Sequence, residues 1–66
     1  MQLTVNGESH ELPEPATLLQ LLEAVEAPLD RVAVMVNDDV VPKEQRHSIT
    51  LSQGDSVEIL VLAAGG

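Results

Sequence analysis

No phenylalanine, tyrosine, tryptophan or cysteine occurs anywhere in the 66 residues, and this restricts what the chain can fold into more than any motif does. A chain of this length buries only about 60% of the surface its unfolded form exposes. Small domains often offset that shortfall with disulfides or thiolate-bound zinc, and neither can form without cysteine. The core must therefore be assembled from Leu, Val and Ile, whose spacing has to specify the fold. The same deficit removes the aromatic platforms on which bases and sugars stack.

The spacing reads clearly. Leu3 and Val5 alternate with Gln2 and Thr4, and Asn6-Gly7 then supplies the strongest short-range hairpin signal. Residues 9–12 return as a second strand with Leu12 on the face of Leu3 and Val5, and His10 is expected at the sheet edge, partly wet. Pro13 and Pro15 end that strand. Thr17 with Gln20 three residues on has capping-box spacing, and Leu18, Leu21, Leu22 and Val25 make one apolar stripe. A helix is expected from about Leu18 to Glu26, stopped by Pro28. Val32, Val34 and Val36 alternate with Ala33 and Met35 as a third strand. Asn37-Asp38-Asp39 reads as a turn, Val40-Val41 as a short edge strand, Ile49 and Leu51 as another brief strand, and Ser52 to Asp55 as a turn before the last strand. No repeat or linker interrupts the chain. These elements predict an α+β domain over residues 1–62, a mixed four- to five-stranded sheet with one main helix on one face, for which the ubiquitin-like β-grasp is the simplest closure.

In the last strand Val57, Ile59 and Val61 share one face, while Glu58, Leu60 and Leu62 share the other. Glu58 has to stay in water, so Leu60 and Leu62 are expected to be exposed with it. If the third strand lies alongside, Ala33 and Met35 join them, and this apolar patch, with Glu58 at its edge, is a candidate partner-binding surface.

Directly after that strand come Ala63-Ala64-Gly65-Gly66. Four extended residues reach at most roughly 14 Å. Glycine lacks the Cβ that would keep a partner's walls at a distance. Residues 63–66 are expected to form a flexible tail that threads the Gly66 carboxylate into an active site too narrow for bulkier residues. Simple fraying of a chain end would leave the same signature.

Other chemistry is sparse. Ser9 beside His10 and Ser48 beside His47 do not make nucleophile–base pairs, since sequence neighbours on a strand point apart. Asp38-Asp39 lacks the alternating oxygen ligands of a calcium loop, and no phosphate-binding glycine loop is present. Eleven acidic residues against three basic give a net charge of −8, which repels phosphate backbones, favours a monomer when free and speeds encounter with a positively charged partner. The amino end has no basic segment leading into an apolar one, and the apolar runs are too short to cross a bilayer. A cytoplasmic protein with no catalytic residues of its own, no bound cofactor or metal, and neither nucleic acid nor membrane as partner is the expectation. The distinctive reactive group is the carboxylate of Gly66.

Leu3-Thr4-Val5-Asn6-Gly7, Val36-Asn37-Asp38-Asp39-Val40-Val41-Pro42, Gly54-Asp55 before Val57-Glu58-Ile59, and the terminal Gly65-Gly66 together resemble the thiamine-pathway sulfur carriers, the ThiS-like family, across essentially the whole chain. Some relatives carry a third glycine in place of Ala64 and an aromatic residue near the position of Arg46. The resemblance implies a β-grasp whose terminal carboxylate attacks the α-phosphate of ATP on an E1-like activating enzyme of the ThiF/MoeB kind, which manages the nucleotide and Mg. Sulfur originating from a cysteine desulfurase then displaces AMP, leaving a thiocarboxylate on Gly66 that serves thiazole synthase. Three alternatives stand beside it: the small subunit of molybdopterin synthase, a ubiquitin-like modifier joined to lysines, and a non-covalent β-grasp binding module.

Overall fold

A computed structural model describes residues 1–62. Among them, Gln2–Val5 (β1) and Glu8–Glu11 (β2) form a hairpin, Leu18–Ala24 is an α-helix (α1), Val32–Val36 (β3) and Asp39–Val41 (β4) form a second hairpin, and Ser56–Val61 is the last strand (β5). The sheet order is β2-β1-β5-β3-β4. β5 runs parallel to β1 and antiparallel to β3, so the hairpins meet only through it. The result is the expected mixed sheet, five-stranded, with the helix on one face.

Both hairpins turn on residues that tolerate a left-handed backbone. Asn6 and Gly7 have φ of 50° and 82°, and Asn37 and Asp38 have 50° and 72°, the signs a two-residue type I′ turn requires. Each asparagine also grips β5. Asn6 Oδ1 accepts from Ile59 N at 2.8 Å while its Nδ2 donates to Ile59 O at 3.2 Å. Asn37 Oδ1 accepts from Ser56 N at 2.9 Å, and Asn37 N donates to Ser56 O at 2.7 Å.

The helix begins as its sequence dictates: Gln20 N donates to Thr17 Oγ1 and Thr17 N to Gln20 Oε1, a complete capping box. It ends two residues earlier than expected, and Pro28 is not the cause. Glu26 takes φ 57°, Glu26 N donates to Glu23 O and Ala27 N to Leu22 O, which is a Schellman stop with glutamate where glycine is usual. Leu18, Leu21 and Leu22 are fully buried against Leu3, Val5, Val34, Val57 and Ile59.

Three further expectations need correction. The second strand is Glu8–Glu11, one residue earlier than read, with Leu12 packed on the core beyond it. Ile49 and Leu51 form no strand: Leu18 N donates to Ile49 O and Leu51 N to Ala16 O, so the segment is tied to the chain entering the helix through one bridge, Thr17 to Thr50. Val61 shares strand parity with Val57 and Ile59, yet it is 66% exposed, because the helix has already stopped before it can cover that end of β5. His10 sits on the edge strand, half-buried, as expected.

Candidate functional site

The β3·β5 register places Ala33 opposite Leu60 and Met35 opposite Glu58. These side chains lie on the face that carries no helix. Leu60 and Leu62 are 56% and 53% exposed, Glu58 is exposed, and Ala33 and Met35 are half-buried. The sequence parity argument thus places every member of the patch. It missed Val40, which pairs with Met35 on β4 and is 71% exposed. Its signal was available in the sequence: on a three-residue edge strand Val41 takes the inward position, which leaves Val40 facing out with Met35.

The patch borders the exit of β5. Leu62 N donates to Arg31 O at 2.6 Å, so the backbone stays hydrogen-bonded to the turn before β3 up to the last described residue. The turn that receives it is braced twice. Arg46, only 5% exposed, donates from its guanidinium to Leu29 O at 2.9 Å and to Val32 O at 2.7 Å, while its Nε has no partner among the described residues. Lys43 Nζ meets Asp30 Oδ1 at 3.0 Å on the surface. The hydrogen bond from Lys43, reinforced by its charge, lowers the Asp30 carboxyl below its usual value. Ala63, Ala64, Gly65 and Gly66, the positions expected to carry the tail chemistry, lie outside the described residues.

The remaining candidates stay apart. Ser9 Oγ accepts from Gln2 Nε2, and Ser48 Oγ donates to Gln45 O, so both hydroxyls have local structural partners. Among the described residues no cluster of three or more His, Cys, Asp or Glu could hold a metal ion, and no helix is long and apolar enough to cross a membrane.

Comparison with known proteins agrees with this geometry. Residues 2–66 match the profile of the ThiS family. A crystal structure of the thiamine biosynthesis protein ThiS from Geobacter metallireducens superposes with a TM-score of 0.86 at 35% identity, covering 100% of both chains. Uncharacterized protein ycf40 of Porphyra purpurea is 30% identical over 66 residues, spanning 100% of this chain and 93% of that protein. A thiazole synthase of Paramagnetospirillum magneticum is 32% identical over the same 66 residues, which make up 20% of its length. A β-grasp sheet, an apolar face beside the strand exit and a family match over nearly every residue converge: the chain belongs to the ThiS family.

Proposed function

We propose that this protein is a sulfur carrier of thiamine biosynthesis, a substrate handed between enzymes in the cytoplasm rather than a catalyst. A carboxylate is a poor acyl donor until one oxygen becomes a good leaving group. In this reading the Gly66 carboxylate attacks the α-phosphate of ATP on an E1-like activating enzyme, and pyrophosphate leaves. Sulfur traced to a cysteine desulfurase displaces AMP from the acyl adenylate, and the resulting thiocarboxylate serves thiazole synthase. Nucleotide and Mg belong to the activating partner, since this chain has three basic residues and nothing like a phosphate cradle in its sequence.

The observation that carries the reading is the ThiS family match over residues 2–66, with the exposed Leu60 and Leu62 beside the strand exit as its physical complement. The alignment of the whole chain with part of a thiazole synthase supports that enzyme as the acceptor. Docking is assigned to Ala33, Met35, Glu58, Leu60 and Leu62, and threading to Ala63, Ala64 and Gly65.

The test is intact-mass spectrometry of the protein incubated with an activating enzyme of this kind, ATP, Mg and a sulfur donor. An AMP adduct followed by exchange of one oxygen for sulfur at Gly66 is expected. An unmodified terminus, with the same enzyme preparation active on another ThiS protein, counts against the proposal.

A further inference from the structure

On the helix side of the sheet, opposite the patch of Leu60 and Leu62, lies an open groove of about 360 Å³. It exists because two sequence features disagree with ordinary packing. The Schellman stop at Glu26 ends the helix early, and β5 continues past the helix end. Val61 is therefore left 66% exposed although its strand parity is that of the core. Val5, Ile59 and Val61 line the floor, Val25 and Ala27 the helix side, and Glu8 and Glu26 the rim. Both glutamates are exposed, and apart from the half-buried His10 no basic side chain lines the groove among the described residues.

We propose that this groove is a second docking site, which receives one aliphatic side chain flanked by basic residues on an extended segment of a partner protein. The apolar floor suits an aliphatic anchor, and the two carboxylates select its neighbours by charge. Other occupants fail on the same electrostatics. A second copy brings another net charge of −8 to a rim that is already acidic. Residues 63–66 of this chain contain no cationic side chain. With the open sheet face on one side and the groove on the other, a partner can hold the end of β5 between two surfaces. The site goes beyond the carrier reading and does not depend on it.

The probe is the peptide acetyl-Arg-Leu-Lys-amide, titrated into the full chain at low salt and followed by amide chemical shifts. Shifts at Val5, Val25, Ala27 and Val61 are expected, with weaker binding as salt rises. Glu8→Gln with Glu26→Gln should weaken binding about tenfold, whereas Asp38→Asn with Asp39→Asn, which removes equal charge away from the groove, should change it less than about twofold. Acetyl-Glu-Leu-Glu-amide should leave the spectrum unchanged. The proposal is overturned by shifts centred on Leu60 and Leu62, by equal losses in the two double variants, by binding of the acidic peptide, or by no response at millimolar peptide. The assay contains neither nucleotide nor activating enzyme, so its failure leaves the carrier reading intact, and an unmodified Gly66 leaves the groove intact.

Discussion

The side-chain amide of Asn6 pairs with the backbone of Ile59 as a neighbouring strand would, accepting from its N–H at 2.8 Å and donating to its carbonyl at 3.2 Å. β1 proper pairs with β5 only at Thr4–Ser56 and Val5–Val57, so the asparagine lengthens a short parallel ladder by one more contact. Asn6→Ala leaves both Ile59 groups without these partners and should lower stability by about 1–3 kcal/mol. Urea denaturation checks this. Faster hydrogen exchange at Ile59, with Ser56 unchanged under its own clamp from Asn37, would assign the loss to this contact.

Arg46 gives a second test. Arg46→Met keeps much of the apolar stem but deprives Leu29 O and Val32 O of charge-assisted donors, and should cost about 2–4 kcal/mol. Because Arg31, whose carbonyl receives Leu62 N, lies between those two residues, the Leu62 amide should exchange faster than other β5 amides. Equal acceleration throughout the sheet would mean that Arg46 supports the core as a whole and not this exit in particular.

The two faces of β5 should respond in opposite ways. Leu60→Arg or Leu62→Arg, on side chains more than half exposed, should leave the melting temperature nearly unchanged and, under the proposed function, weaken binding to the activating enzyme. Ile59→Ala, one residue away and 9% exposed, should cost about 2–5 kcal/mol. Calorimetry alongside a binding titration separates the two classes, and unfolding of Leu60→Arg would refute the assignment of the open face.

The Asp30–Lys43 pair carries a sign. Folding lowers the Asp30 carboxyl below its ordinary 3.8, so the unfolded chain takes up that proton first as the solution is acidified. The pair's contribution is present above the unfolded value and is lost as pH falls through the lowered folded value. Lys43→Gln should move the Asp30 titration, followed by carbonyl NMR, back up towards 3.8. Both side chains are largely exposed, so added salt should shrink the difference.

Most of the sheet was legible because β1, β3 and β5 each have one buried face and both hairpins have a turn of known chemistry. Leu3/Val5, Val32/Val34 and Val57/Ile59 announce their parity, and Asn6-Gly7 and Asn37-Asp38 announce the hairpins. The capping box at Thr17 and Gln20 marked the helix start equally well. Its end was hidden because glutamate rarely adopts the left-handed conformation that Glu26 takes, and with that went the exposure of Val61, which depends on how far the helix extends. The segment around Leu51 has the alternation of a strand, but its hydrogen bonds go to Ala16 and Leu18, long-range partners that local pattern cannot name. Arg46 was equally hidden: nothing in its neighbourhood says that a guanidinium will be buried against two carbonyls. The exposed apolar patch was readable from Glu58 alone, since one charge on a strand fixes which way its neighbours face.

The placement of β5 at the sheet centre has a consequence for biosynthesis. Until Val61 has cleared the ribosomal exit, the emerging polypeptide holds two hairpins with no strand to join them, each too small to persist alone in water. Assembly is therefore deferred until nearly all of the described sequence has been translated, and the last strand to be made is the one whose arrival locks the domain together.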